Sequence, residues 1–273
     1  MKKYRRVVVI SDTHCGHRAG LCSPDYQYEI KKNPRSQTIR DRNKFAVIQR
    51  EIWSWYAKTM KDLQPIDTLF HLGDCIDGNS PKNSGIEEME VDRLKQCDIA
   101  VDCINESKAK NIILIRGTDY HVGGSTEYEN VVYDRITPPG SKKIGNHEWV
   151  EFFDGKIIFD LKHKVGNTTV PYSQGTSISK DRYMNLLWAE RDLQPKANIF
   201  IRGHIHKDFF AGDSDFLSLS MPSLQWTTNY GAKVCSSRVS VGLAVFDLCS
   251  DGTYSWCFKL AKLNSMKTSL IKL

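Results

Sequence analysis

Residues 6–14 read RVVVISDTH, and this stretch decides the fold that the sequence predicts. An almost continuous apolar run rich in valine is typical of a strand buried on both faces of a sheet. The run ends at Asp12, so polar chemistry begins where the strand stops. Similar runs occur at 67–72 (DTLFHL), 111–115 (NIILI) and 198–201 (NIFI). Helix-like segments lie between them, and this alternation predicts an α/β fold with a parallel sheet and right-handed crossovers.

The segments that connect the first strands are predicted to be two helices and one long loop. Segment 44–60 carries apolar side chains at three- and four-residue spacing and is followed by Pro65, which predicts an amphipathic helix. Segment 87–107 has the pattern of a second helix. Segment 15–41 is polar, contains two prolines and has no periodicity, so we expect a long surface loop there.

The pattern changes after Pro138. Segments 149–153 and 156–161 flank Asp154-Gly155, a dipeptide that strongly predicts a β-hairpin. We therefore expect a second sheet to begin here. A further helix is expected at 181–191, and a closing antiparallel hairpin at 239–248 and 253–260.

Composition limits the class of protein. The 273 residues, 40% of them hydrophobic, suffice for a substantial core, and the absence of repeats or linkers predicts one domain, residues 1–273. No apolar stretch is long enough to span a bilayer, and the eight cysteines show no paired spacing. We expect reduced thiols, no membrane partner and a cytoplasmic protein, with a disulfide framework as the alternative. The net charge of +6 favours an anionic partner, although a solvated surface with excess lysine accounts for it equally well.

Side chains that can bind metals stand at the ends of the apolar runs. They are Asp12, His14, Asp74, Asp119, His121, His204 and His206, with His163 at the end of the hairpin strand. The carboxyl ends of strands share one edge of an open α/β sheet, so these groups can converge. Carboxylate oxygen and imidazole nitrogen suit divalent manganese, iron, zinc or nickel. A lone histidine is more often a hydrogen-bonded residue than a ligand, so the joint placement carries the hypothesis.

These motifs, taken in order, resemble those of the calcineurin-like metallophosphoesterases. The family pattern is DxH, GD, GNH followed by D or E, a solitary histidine, and GHxH. Its counterparts here are Asp12-Thr13-His14, Gly73-Asp74, His163 and Gly203-His204-Ile205-His206, and the resemblance extends from Val7 to about His206.

The resemblance implies a fold and a ligand set. The implied fold is a four-layer αββα sandwich of two mixed sheets flanked by helices. The implied cofactors are two divalent metal ions, Mn²⁺ in the first place, with Fe, Zn, Ni or Mg as alternatives. By resemblance, Asp12, His14, Asp74 and His206 hold the first ion, and Asp74, His163 and His204 hold the second.

The third block departs from the family pattern, because Gly117-Thr118-Asp119-Tyr120-His121 stands where Gly-Asn-His is expected. Thr118 or Asp119 could replace the missing asparagine through an oxygen atom. His121, or Asp119, would protonate the leaving group.

A literal Gly145-Asn146-His147-Glu148 occurs further on. It follows a proline- and lysine-containing loop and no apolar strand, so we interpret it as a decoy, with Asn146 kept as the alternative ligand. Thr118 and Arg202 are the candidates for binding substrate. Arg202 lies beside the GHxH block and could clamp a phosphate, or point to the other face of its strand.

The predicted function is that of a metal-dependent phosphoesterase. Two ions about 3.5–4 Å apart lower the pKa of a bridging water and stabilise added negative charge, so the bridging hydroxide would be the nucleophile. The basic charge, the long loop and the resemblance to repair nucleases of the family favour a phosphodiester, with DNA or RNA as the partner. The alternatives are a phosphomonoesterase acting on a nucleotide or phosphoprotein, and a non-catalytic metal-binding scaffold.

Overall fold

The computed structural model describes residues 4–79, 85–124, 127–166, 170, 173–234 and 239–266. Within this part of the chain the apolar runs form the predicted strands. The described strands, in chain order, are β1 (Tyr4–Ile10), β2 (Thr68–His71), β3 (Asn111–Ile115), β4 (Lys142–Gly145), β5 (His147–Phe152), β6 (Ile157–Lys162), β7 (Ile199–Arg202), β8 (Phe209–Gly212), β9 (Leu217–Ser220), β10 (Gly242–Cys249) and β11 (Tyr254–Leu260).

The strands form two mixed sheets. The first has the order β11-β10-β1-β2-β3-β4, with β1 to β4 parallel and β10 antiparallel to β1. The last four residues of β1 and all of β2 are buried, as runs without polar alternation predict. The second sheet has the order β5-β6-β7-β9-β8 and contains the predicted hairpin of β5 and β6. In this sheet β6, β7 and β9 run parallel to one another.

Helices cover the outer faces of both sheets. The described helices are α1 (Gln37–Asp62), α2 (Arg93–Asn105), α3 (Asp119–Val122), α4 (Glu127–Arg135), α5 (Gln174–Ala189) and α6 (Asn229–Val234). One apolar core joins α1, α2 and α4 to the first sheet and includes Ile52 and Val8. A second core fills the space between the sheets, where Phe70 and Phe159 meet. Since α5 packs on the second sheet through Ile178, the predicted four-layer αββα sandwich is confirmed.

The three predicted helices begin at other residues than predicted, and the third of them, α5, begins at Gln174 and not at residue 181. α1 begins at Gln37 because Ser36 caps it, its Oγ accepting the N–H of Ile39 at 3.3 Å. Its first turns are mostly exposed, so they lack the apolar stripe by which the helix was recognised. α2 begins at Arg93, where Asp92 accepts the N–H of Leu94 at 2.9 Å.

Several short elements had no recognisable sequence signal. The most consequential is β4, a four-residue strand that pairs with β3 at the edge of the first sheet. It places Gly145 at the same sheet edge as Ile115, since these two residues are paired. The second sheet begins at β5, the first strand of the predicted hairpin.

Reduced cysteines and the absence of a membrane-spanning segment were predicted from the sequence. The seven described cysteines are free, and of these only Cys257 is exposed. Cys235 lies outside the described residues. In the described part of the chain no helix has the length and apolar character needed to cross a bilayer.

The core between the sheets yields a stability prediction. Phe159 is fully buried and makes edge contacts with Phe70 and Phe246 at 5.3 and 5.2 Å between ring centroids. Phe159→Ala should lower the free energy of unfolding by about 3–5 kcal/mol, because the cavity lies between two sheets that cannot collapse into it. Phe210→Ala, at an exposed position of β8, is the control and should cost much less. Urea unfolding curves of the two variants test this, and equal losses would contradict the assignment of the core.

Candidate metal centre

The carboxyl ends of the parallel strands meet along one edge of the sandwich. The backbone N–H of Asp12, after β1, donates to the carbonyl of Gly73, after β2, at 3.1 Å. The N–H of Gly203, after β7, donates to the carbonyl of His163, after β6, at 2.9 Å. The two sheets are joined here because the N–H of His204 donates to Asp12 Oδ2 at 3.0 Å. The predicted motif residues are thus brought together from both sheets.

One group of three side chains contains Asp12, His14 and His206. Asp12 Oδ1 lies 3.2 Å from His206 Nε2 and 3.9 Å from His14 Nε2. The two Nε2 atoms are 3.3 Å apart. All three donor atoms lie within 4.8 Å of one another, a spacing at which one cation can contact them together.

A second group contains Asp74, His163 and His204. Asp74 Oδ2 lies 3.1 Å from His163 Nε2, and the rings of His163 and His204 meet edge to face at 5.3 Å. These donor atoms also lie within 4.8 Å of one another. The six residues predicted as ligands therefore divide into two groups, each with one carboxylate and two imidazoles.

Each group contains a buried polar atom with no hydrogen-bond partner. Asp12 Oδ2 accepts from Ser11 Oγ and from the N–H of His204, whereas Asp12 Oδ1 has no partner. His163 Nδ1 is bonded to the carbonyl of Leu72, so Nε2 faces Asp74 Oδ2 at 3.1 Å without a well-aligned hydrogen bond. Unpaired buried polar atoms are costly, and a divalent cation in each group would satisfy both. These residues therefore fit two metal ions.

The backbone at the candidate ligands is strained in the same way. Five non-glycine residues of the two groups have φ between 42° and 74°, in the left-handed region: Asp12, His14, Asp74, His204 and His206. Such conformations cost free energy and persist where the surrounding structure enforces them, often at functional sites. Gly117 is required for a related reason, since a Cβ there would collide with the Asp74 carboxylate.

Comparison with known proteins gives matches among solved structures. No family model matches the sequence, and no curated protein matches it. An archaeal phosphodiesterase is 12% identical, with a TM-score of 0.42 over 93% of this chain and 99% of that one. Wild-type Vps29 of Entamoeba histolytica, in complex with zinc, is 12% identical, with a TM-score of 0.38 over 94% and 99%. A predicted phosphoesterase of Streptococcus pneumoniae is 13% identical, with a TM-score of 0.36 over 94% and 99%.

The stacked mixed sheets and the gathering of the motif residues at one edge are what the sequence resemblance implies. The described part of the chain has the αββα sandwich of two mixed sheets that this resemblance implies. Its DxH, GD, solitary histidine and GHxH motifs all lie at strand ends on that edge.

The electrostatics of the candidate site would couple metal binding to proton release. Burial would raise the pKa of Asp74, but the charge of His163 lowers it well below its usual value. Burial opposes a charge on His163, yet Asp74, together with Asp12, raises the pKa of His163 to about 10. Without a cation, a proton on His163 therefore balances the buried carboxylates. A divalent ion must displace that proton.

Asp77 is a functional candidate that sequence analysis missed. Its Oδ1 lies 3.1 Å from His14 Nδ1, which leaves His14 Nε2 for the first group. Its backbone carbonyl accepts from His121 Nδ1 at 2.8 Å. Asp77 thus orients a candidate ligand and the candidate acid at once. The available signal was its position three residues after Asp74, on the same loop.

The third block supports Asp74. Thr118 donates its N–H to Asp74 Oδ1 at 2.7 Å, and its hydroxyl lies 3.1 Å from the same oxygen. Asp119 is exposed at the start of α3 and lines the same cleft as His121. Replacement of the family asparagine by Thr118 or Asp119 remains a prediction.

Asn146 follows a β-strand, contrary to the prediction that no strand precedes it. It directly follows strand β4 at the sheet edge that carries the candidate ligands, and it lines the cleft together with Thr118 and His163. His147 turns elsewhere and pairs with Asp160 at 2.9 Å. Asn146 of the Gly-Asn-His sequence therefore lines the cleft. His147 of the same sequence pairs with Asp160 and belongs to neither group of candidate ligands.

The structure places Arg202 away from the predicted phosphate-binding role. Arg202 is almost completely buried and pairs with Asp160 at 2.7 Å and Asp181 of α5 at 2.6 Å. Its Nη1 donates to the carbonyls of Asp160 and Ile201. The side chain points to the helix-covered face of its strand, which was the alternative expectation, and its role is structural.

Glu129 of α4 is a second residue that sequence analysis missed. This buried carboxylate accepts the N–H of Cys75 at 3.2 Å and the N–H of Gly117 at 2.7 Å. It therefore joins the loop that carries Asp74 to the loop that carries Thr118. Burial, and then the charge of Asp74, raise the pKa of Glu129 to about 7.

Metal binding should release protons. Because His163 keeps its proton up to about pH 10 in the metal-free protein, Mn²⁺ affinity should rise about tenfold per pH unit between roughly pH 6 and 9. Calorimetric titration in two buffers of different ionisation enthalpy measures the protons released, and His163→Asn should release fewer. Mn²⁺ affinity that is constant over this range would contradict the assignment.

Glu129 should make the metal-free protein less stable as the pH rises. A carboxyl group whose pKa is higher in the folded than in the unfolded protein stabilises the folded state less once the pH passes its unfolded value. From about pH 5 to 8 this effect costs about 2–3 kcal/mol, and Glu129→Gln should remove it. Urea unfolding at both pH values with a chelator measures the difference, with the exposed Glu127→Gln on the same helix as control. Identical pH profiles for wild type and Glu129→Gln would refute the shifted pKa.

Proposed function

We propose that this protein is a two-metal phosphoesterase that prefers phosphodiester bonds, with manganese as its first-choice metal and a nucleic acid as its substrate class. The strongest support is the pair of side-chain groups that could each bind a metal ion. Each group contains one buried ligand atom without a hydrogen bond. Two divalent ions bound there would activate a water and offset the charge that develops on the phosphoryl oxygens. The printed names of the similar structures, a phosphodiesterase and a predicted phosphoesterase, agree with this chemistry.

The residues of the chain would hold this arrangement in place before substrate arrives. Thr118 fixes Asp74 through its N–H and hydroxyl, and Asp77 fixes His14. Such prior alignment of charged groups lowers the reorganisation that the reaction requires.

His121 is the candidate general acid. Its Nδ1 is bonded to the carbonyl of Asp77, which leaves Nε2 as the nitrogen available to a ligand, and the residue lines the cleft. Burial, and then the neighbouring His14, lower the pKa of His121. A bound phosphate would favour the protonated form by its negative charge, so that His121 can donate a proton to the leaving oxygen. Asp119, exposed in the same cleft, is the alternative acid.

The test is hydrolysis of bis-p-nitrophenyl phosphate and p-nitrophenyl phosphate with added Mn²⁺. Wild type should hydrolyse the diester faster than the monoester. Asp74→Asn should lower kcat by at least about a hundredfold, because it removes the carboxylate that Thr118 and His163 surround.

The matched control is Asp67→Asn, at the opposite end of β2, where Asp67 pairs with Arg5. It should leave the rates within about twofold, as expected of a surface ion pair. Negligible rates for wild type and Asp74→Asn alike would support the scaffold, and faster monoester hydrolysis would support the phosphomonoesterase.

A further inference from the structure

The cleft beside the second metal group is larger than a single phosphate requires. Its volume is about 1030 Å³, at the upper end of the range of roughly 300–1,000 Å³ that is usual for small-molecule pockets. His163 and His204 lie in its wall, together with Thr118 and His121. The cleft therefore extends from the proposed reaction centre over a neighbouring surface.

That neighbouring surface is cationic. Arg116, Lys162 and Lys164 line the cleft, and the two lysines flank His163 in sequence. Asp119 is the carboxylate among the described lining residues. The cleft therefore carries an excess of positive charge next to the second metal group.

The three cations have no carboxylate partner within the described part of the chain. Arg116 Nη2 donates to the side-chain carbonyl of Asn130 at 2.9 Å, and its backbone N–H donates to Gly145 at 2.8 Å. Its Nε is buried without a hydrogen-bond partner. By contrast, other arginines of this protein, such as Arg18 and Arg202, are paired with carboxylates. The guanidinium of Arg116 is thus held in position while keeping donors for an external anion.

We propose that Arg116, Lys162 and Lys164 bind a phosphate adjacent to the one being cleaved, so that the substrate is a nucleic acid strand and not an isolated phosphodiester. This inference rests on the proposed function and assigns the residues that would hold the phosphate next to the scissile one. Arg116 presents a planar set of donors that suits phosphate oxygens, and the lysines add point charges. Tyr120 lines the same cleft, with its ring edge to face against His121 at 4.8 Å between ring centroids.

The first experiment compares substrates that differ in phosphate number. Full-length protein with Mn²⁺ is assayed on bis-p-nitrophenyl phosphate, on the thymidine dinucleotide with its single phosphate, and on longer oligothymidylates. For wild type, kcat/KM per bond should rise at least about tenfold from the dinucleotide to the longer strands, because only these have a flanking phosphate. The Arg116→Gln/Lys164→Gln variant should lose that gain. The ratio of kcat/KM for the long strand to that for bis-p-nitrophenyl phosphate reports the effect.

The second experiment measures binding without turnover. Fluorescence anisotropy of a labelled oligothymidylate with Asp74→Asn protein should give a Kd that weakens steeply with salt. Adding Arg116→Gln and Lys164→Gln should reduce the slope of log Kd against log salt by about 1.4, since each phosphate contact on a single strand contributes about 0.7. The matched control is Lys259→Gln on β11, at the far edge of the first sheet, which removes one exposed positive charge and should leave both readouts unchanged.

The outcomes separate the two proposals. If wild type hydrolyses bis-p-nitrophenyl phosphate but shows no gain with strand length, the flanking-phosphate site is overturned while the phosphoesterase stands. If the gain is present but survives in the double variant, the assignment to Arg116 and Lys164 is overturned. If wild type hydrolyses neither diester nor strand, the proposed function itself fails.

Discussion

The burial of the Asp74 carboxylate is the constraint on which the rest of the site depends. Asp74 is only 1% exposed, and a buried charge is tolerated only where it is paired and hydrogen-bonded. Thr118 bonds one carboxylate oxygen, and His163 lies 3.1 Å from the other. The backbone carbonyl of Asp74 accepts the N–H of His14, so the same residue also fixes the DxH loop. Every candidate ligand group is thus tied to this one carboxylate or to its loop.

The loops that surround the buried Asp74 carboxylate have a strained backbone, and they are attached to rigid, buried strands. The left-handed backbone at five candidate ligands costs of order 1–3 kcal/mol each, and the apolar cores on both sides of the first sheet provide the compensating rigidity. Glu129 and Asp77 add polar connections between neighbouring loops. This edge of the sandwich is built from turns that ordinary loops would not adopt, and the buried strands beneath explain why these turns persist.

The sequence predicted the parts of this arrangement that are local. Buried strands and the polar residues at their ends are readable because hydrophobic pattern and strand end coincide, as at Asp12 and His204. Glu129 was not predictable in the same way, since its role depends on contacts with loops 12 and 54 residues distant. Asn146 was misjudged because the short strand before it contains two lysines and has no apolar signal. Arg202 was ambiguous because a strand residue can face either layer, and only packing against α5 decides which.

The central claim is that two cations bind at this edge, one in each donor group. Crystals grown with Mn²⁺ and measured at the manganese absorption edge test it directly by anomalous scattering. We expect two anomalous peaks, one among Asp12, His14 and His206 and one among Asp74, His163 and His204. A map with no peak in either group, or with manganese bound only elsewhere on the protein, would contradict it.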